Sequence, residues 1–191
     1  MSANSFYKEQ ELQELGFKKI GRNVLVSKKA SFYGASNMTI GNNVRIDDFC
    51  LLSGKINLGN YIHIAAYAAI FGGSRGVTLR DFSTLSSRCT VYALTDDYSG
   101  ETMTNPMVPA AFKNLTEASV TIGRHVIVGT GSTILPGADI GEGVALGAHS
   151  LLTNPAEAWH IYAGAPAKIL RPRSRDLLEK EKQFHAAQKE H

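Results

Sequence analysis

Two cysteines in 191 residues are too few for the disulfide framework of a small secreted domain, and they suggest a reducing compartment, the cytoplasm. Aromatic residues make up only 8% of the chain, so a core must be assembled from other side chains. No run approaches the ~18–20 consecutive apolar residues of a membrane span. The opening Met1-Ser2-Ala3-Asn4-Ser5 lacks the apolar stretch of a secretory signal. Charge of one sign is also scarce: 20 Lys+Arg against 17 Asp+Glu leave +3, a weak excess for a nucleic-acid surface. What remains is a chain 43% hydrophobic, too apolar to be disordered and of a length that suits one domain.

The apolar residues are periodic. An aliphatic side chain recurs every sixth position at Ile40, Ile46, Leu52, Leu58, Ile64 and Ile70, then, after a slip, at Leu79, Leu85 and Val91. The series returns at Ile122, Val128, Ile134, Ile140, Leu146 and Leu152, and Ile20, Val26 and Phe32 precede it. Of these eighteen positions, all but Phe32 are Ile, Leu or Val. Four residues beyond each stands a small or β-branched residue, including Val24, Ser36, Val44, Cys50, Ala68, Ser74, Ser83, Cys89, Thr95, Val126 and Ser132. A period of six matches neither the 3.6 of a helix nor the alternation of a long strand. It fits short strands joined by tight turns, three to a triangular coil, the hexapeptide β-helix pattern. Eighteen hexapeptides predict an all-β solenoid of about six coils, rising ~29 Å at one strand spacing per coil. The 18 glycines are read as corner residues.

Other segments punctuate the prism. Ser5 is placed to cap a short helix over Phe6–Leu15 that Gly16 ends. Residues 96–119 form a long excursion, a length usually reserved for function. Ser174 to about Glu190 reads as a C-terminal helix covering the last coil's open edge. The expected organisation is a lead-in over 1–19, the prism over 20–157 and a tail over 158–191. Cys50 and Cys89 lie two coils apart, ~9–10 Å, beyond the ~7 Å reach of a disulfide, and read as buried small hydrophobes. His125 and His149 share no column and have no third partner, so no metal site is expected.

The repeat, the mid-prism excursion and the tail Ile161-Tyr162-Ala163-Gly164-Ala165-Pro166-Ala167-Lys168-Ile169-Leu170-Arg171 resemble the hexapeptide-repeat acyltransferases, in particular the galactoside and maltose acetyltransferases. The resemblance covers about residues 17–173. It implies a left-handed parallel β-helix, a homotrimer, and acetyl-CoA bound as co-substrate in grooves between prisms. It further implies that Lys168 and Arg171 contact the nucleotide end of the cofactor, and that Thr130, Ala148 and Thr153 line the pantetheine groove. The basic run that also includes Arg173 and Arg175 suits the cofactor's phosphates on its own terms.

The acceptor side departs from that family. Where its sugar O-acetyltransferases carry a general-base His at the start of the loop, this chain has Asp96, followed by Asp97 and Tyr98. An ordinary carboxylate is a poor base for a hydroxyl but can bind and orient an ammonium, which tilts the reading toward an amine acceptor. A second candidate is His63; one coil back stands Arg45, so the two side chains should stack and could face a phosphorylated acceptor. The stretch Asp96-Asp97-Tyr98-Ser99-Gly100-Glu101-Thr102-Met103-Thr104-Asn105-Pro106 resembles acyltransferases of surface-polysaccharide clusters that act on nucleotide-linked 4-amino-4,6-dideoxyglucose. The expectation is thus a cytoplasmic N-acetyltransferase of a nucleotide-linked amino sugar, for lipopolysaccharide or another surface polysaccharide. His63 and Asp96 would be catalytic, and Arg45, Asp97 and Tyr98 would bind substrate. No metal, nucleic acid or membrane takes part. The alternatives are O-acetylation of a sugar or small alcohol and a non-catalytic scaffold.

Overall fold

A computed structural model describes residues 5–189; Met1 to Asn4, where no signal was read, and Glu190 and His191 at the tail's end lie outside the described residues. The chain winds as a three-sided parallel β-solenoid. One face stacks seven parallel rungs in the order Val24–Val26, Val44–Ile46, His63–Ile64, Thr84–Leu85, Ile127–Val128, Ala145–Leu146 and His160–Gly164. The other two faces merge into one nine-stranded sheet because Leu51–Leu58 and Ala69–Leu79 bend around the corner between them. That bend runs through Gly54 and Gly73, both at positive φ.

The aliphatic series forms the core. From Ile40 onward every one of its positions is buried, as is Val26, and Ile20 and Phe32 pack against the cluster from the edge. Each fully buried aliphatic side chain contributes about 1.5–3 kcal/mol. There are about seven turns rather than six. The extra rung is His160–Gly164, whose Tyr162 follows Leu146 in the column. Its spacing from Leu152 and its aromatic ring hide it from the six-residue count.

The second series needs a correction. Ser36 and Ser74 are exposed and Thr95 is half-buried, and their slots are filled by Met38, Val77 and Val120. Strand alternation ties the inward companion to the residue two before each aliphatic one. Where the chain loops out, the companion therefore moves with the next aliphatic residue.

The glycines also differ from expectation. Many positive-φ corners hold Asn23, Asn43, Phe49, Tyr61, Tyr67, Phe82, Arg88, His125 and His149. Gly41 instead permits close approach between coils, since a Cβ there would meet the Gly59 carbonyl oxygen at 2.3 Å.

The helices are shorter than read. Helix α1 spans Glu9–Glu14, with the Lys8 N–H donating to Glu11 Oε2 (2.7 Å). Ser5 does not cap it: its carbonyl accepts from Lys28 N (2.8 Å) and Tyr7 N donates to Val26 O (2.9 Å), so this segment runs along the first coil. Gly16 ends the helix at φ 72°, as expected. Helix α2, Leu177–Lys189, does not cover the open edge. An antiparallel strand, Ala167–Pro172, pairs with His160–Gly164 and closes that edge. Helix α2 packs on a corner column of stacked rings, Tyr61 on Phe82 (4.7 Å) and Phe82 on His125 (5.1 Å), with Phe184 edge-on to both Tyr61 and Phe82. Glu181 holds it there by accepting from Arg124 and from His125 Nε2.

Cys50 and Cys89 are free and buried, with Ala68 in the coil between them. Burial pushes the Cys50 thiol up to about 11 and raises that of Cys89.

Candidate active site

The excursion leaves the prism after the pair Leu94–Thr95, which is clamped antiparallel to Thr116–Glu117. Its base is therefore fixed, and Asp97 shapes the first turn of the loop. Asp97 Oδ1 accepts from Ser99 N (2.8 Å), while Oδ2 accepts from Thr102 N (3.0 Å) and Thr102 Oγ1 (2.9 Å). The bonds from Ser99 and Thr102 hold its carboxyl down at about 2. The residue read as a substrate ligand thus spends its oxygens on the loop itself. Tyr98, 92% exposed, borders the same cleft as Asp96.

Asp96 opens, unlike Asp97, into a cleft of about 520 Å³ between the excursion and the outward side of the second face, the one that stacks residues 69–71, Thr90–Tyr92, Thr133–Ile134 and Leu151–Leu152. Its floor is a column of large side chains, Phe71, Tyr92 and Leu135, standing outward because Ile70, Val91 and Ile134 point in. The Phe71 and Tyr92 rings stack at 5.0 Å and 7°. Leu94 and Leu115 add to the apolar wall, and Lys113, whose Nζ donates to Asn105 O, supplies the opposite charge. The sequence reading missed this column. Large apolar residues at outward positions of a solenoid are the signal that could have found it.

A second cluster stands on the seven-rung face. Arg45 and His63 are register partners, stacked as the eighteen-residue count predicted. Between them the structure adds Asp47: its Oδ1 accepts from Arg45 Nε (2.7 Å) and its Oδ2 lies 2.8 Å from His63 Nε2. Burial opposes ionisation of Asp47, but the bonds from His63 and Arg45 outweigh it, and its carboxyl lies below the usual value. His63 keeps 43% of its side chain exposed, so a ligand can reach the ring. The spacing Arg45-x-Asp47 on the outward side of one strand was the available clue. His63 and Asp96 do not meet within one chain, because one stands on the seven-rung face and the other over the second face.

Above this cluster, Ala65, Ser86, Gly129 and Gly147 follow Asp47 in one column, each N–H bonded to the next coil. Thr130 and Ala148 lie beside it at the corner, exposed, with Thr130 Oγ1 donating to Ser87 O (2.6 Å). Side chains this small leave room for a narrow chain to lie against the column. Thr153 is exposed on the second face, one coil beyond Leu135, and its hydroxyl accepts from Asn154 Nδ2.

The basic tail divides into two groups. Arg173 Nη1 donates to the carbonyls of His125 (2.9 Å), Gly143 (3.1 Å) and Val144 (3.2 Å), and Arg175 lies over the Trp159 ring at 5.2 Å. Lys168 and Arg171, on the edge strand, are exposed and make no ion pair among the described residues. Those two cations are free to meet phosphates. No helix of the described residues is long and apolar enough to cross a membrane.

Comparison with known proteins agrees with the solenoid fold. The bacterial transferase hexapeptide family (six repeats) matches residues 119–154. A dTDP-4-amino-4,6-dideoxy-D-glucose acyltransferase of Escherichia coli is 46% identical over 183 residues, 94% of this chain and 95% of its own. The N-acyltransferase AntD of Bacillus cereus, in complex with dTDP and 3-hydroxybutyryl-CoA, superposes with a TM-score of 0.96 at 46% identity, covering 98% of this chain and 100% of its own. A serine-to-cysteine variant of AntD, with dTDP-4-amino-4,6-dideoxyglucose and coenzyme A bound, is 47% identical over 96% of this chain and 98% of its own, with a TM-score of 0.95. A galactoside acetyltransferase in complex with coenzyme A shares the fold at 22% identity and a TM-score of 0.60, covering 88% of this chain and 70% of its own.

Proposed function

The chain belongs to the hexapeptide-repeat acyltransferases, and from that premise we propose that it acylates the 4-amino group of dTDP-4-amino-4,6-dideoxyglucose, with acetyl-CoA as donor. The observation that carries the reading is Asp96, a carboxylate facing the cleft where an O-acetyltransferase would place an imidazole.

The chemistry follows from the groups present. Lys168 and Arg171 suit the cofactor's phosphates, and Thr130, Ala148 and Thr153 the pantetheine arm. Asp96 binds the ammonium of the sugar and aims its nitrogen. Once the proton is lost, the lone pair attacks the thioester carbon; a C–N bond forms, the C–S bond breaks, and coenzyme A leaves as the thiol. The ammonium's first proton goes to solvent; the His63 ring takes the second as the C–N bond forms and hands it to the departing thiolate, with Asp47 stabilising the imidazolium in between and Arg45 bonded to the other Asp47 oxygen.

Ser86 enters through a spacing. AntD has been crystallised with a serine and, ten positions further on, an aspartate replaced. Here both Ser86–Asp96 and Ser87–Asp97 have that spacing. Asp97 is committed to the loop, so we pair Ser86 with Asp96 and assign its hydroxyl as a donor to the tetrahedral oxyanion.

Because His63 and Asp96 stand on different faces, one chain does not complete the site. We assign the active form as a homotrimer in which one copy's His63 faces the next copy's excursion. The exposed Tyr98, Met107 (88%) and Phe112 of that excursion favour a packed neighbour. Asp97 orders the excursion and Tyr98 borders the acceptor. Both substrates are cytoplasmic metabolites, and the product suits lipopolysaccharide or another surface polysaccharide.

The test is thiol release from acetyl-CoA in the presence of the dTDP-amino sugar, with the product analysed as an amide. Asp96→Asn is expected to lower kcat/KM by about 10- to 100-fold, the size of a lost charge-assisted hydrogen bond. Asp47→Asn and His63→Asn should lower kcat with smaller changes in KM. Transfer only to sugars lacking an amine would overturn the reading.

A further inference from the structure

The cleft around Asp96 is mostly carbon. Phe71, Tyr92, Leu94, Leu115 and Leu135 face it, while the neighbouring outward column is small, Ala69, Thr90 and Thr133. A wall of that kind beside the Asp96 carboxylate, with the Lys113 ammonium donating to Asn105 O, suits a ligand that carries a cation and an apolar group side by side.

The acceptor assigned above has that chemistry. Its amine sits on C4, and the adjacent ring carbon, C5, bears a methyl group where an ordinary hexose bears a hydroxymethyl. In the gluco configuration both substituents are equatorial and neighbouring, so whatever residue holds the ammonium brings C6 against the wall beside it. We infer that the strip Tyr92, Leu115 and Leu135 is the specificity determinant for 6-deoxy amino sugars. A 6-hydroxyl lying against Leu115 and Leu135 would lose its water and find no partner on either side chain, the cleft's neutral and cationic polar groups being Thr95, Thr133, the Tyr92 and Tyr98 hydroxyls and Lys113. The inference rests on the assignment of Asp96 to the amine.

The experiment compares two acceptors, dTDP-4-amino-4,6-dideoxyglucose and its 6-hydroxy counterpart, by their ratio of kcat/KM on the same enzyme preparation. The ratio cancels any loss of folded protein in a variant. The native chain is expected to favour the 6-deoxy sugar roughly 10- to 100-fold, the range over which an apolar pocket rejects an added hydroxyl. Leu135→Ser and Leu115→Asn, each supplying a partner for that hydroxyl, should each narrow the ratio several-fold. A native ratio near one, or a ratio unmoved by both variants, overturns the inference while the amine-transfer reading stands. A changed preference for acyl-chain length with the sugar ratio intact also overturns it, because the strip would then hold the acyl group. No turnover of either amino sugar removes both.

Discussion

Arg173 offers a direct test of how the strand proposed to meet the cofactor is held. Its Nη1 reaches three backbone carbonyls on two successive coils, those of His125, Gly143 and Val144. The residue follows the edge strand that carries Lys168 and Arg171 and precedes helix α2. Hydrogen bonds from a charged donor are worth about 1.5–3 kcal/mol when buried. Arg173 is half-buried, so water can replace part of what a truncation removes, and Arg173→Ala should cost about 1–2 kcal/mol. For a chain of this length that is a fall in melting temperature of roughly 3–6 °C. The kinetic consequence is specific. The loosened strand displaces Lys168 and Arg171, so KM for acetyl-CoA should rise several-fold while kcat and KM for the sugar change little. Arg173→Lys, with a compact ammonium, should recover part of both effects. Differential scanning fluorimetry and steady-state kinetics measure them together. A melting temperature lowered as expected with KM for acetyl-CoA unchanged would refute the link between this anchor and the cofactor cations, and an unchanged melting temperature would refute the anchor itself.

Asp97 makes the excursion's order depend on pH in a predictable direction. Its carboxyl is depressed to about 2, so the bonds from Ser99 and Thr102 are fully present above its unfolded value of about 4 and are lost as pH falls through about 2. Amide exchange at Ser99 and Thr102 should stay slow at neutral pH and speed up in Asp97→Ala; equal exchange in both proteins would remove the loop-organising role. Gly129→Ala should destabilise the prism by about 1–3 kcal/mol, because its Cβ would stand 2.5 Å from Ala148 N and 2.7 Å from Gly147 C, backbone that cannot swing aside. Gly16→Ala, at φ 72° with nothing within 4 Å, should cost only about 1 kcal/mol, and a melting temperature equal for the two variants would contradict the close-packing account.

Much of the site was legible because a solenoid converts sequence distance into spatial distance. Eighteen residues are one coil, so the Arg45–His63 pair could be counted before it was seen. Asp96 stood out because it opens the excursion at the position where the resembling O-acetyltransferases carry a His. Asp47, in contrast, matters through a diagonal contact to His63 across coils, and the hexapeptide pattern marks only inward positions. Phe71, Tyr92 and Leu135 were passed over for the same reason, since the repeat is silent about its outward side chains. The split in the basic tail was illegible too: Lys168, Arg171, Arg173 and Arg175 look alike in sequence, and only the hairpin's path shows that Arg173 is turned inward.

The sequence by itself determined the solenoid, the inward aliphatic columns, the site of the excursion and the absence of a disulfide between Cys50 and Cys89. These follow from local alternation and fixed spacing, which any short stretch reports. Only the tertiary structure decided the seventh rung, the companions at each slip, the closing hairpin, the seat of helix α2 and the contacts of Asp47, Asp97 and Arg173. Each of those depends on where a chain returns after leaving the repeat, and that is settled by which backbone and side-chain groups it can satisfy on arrival.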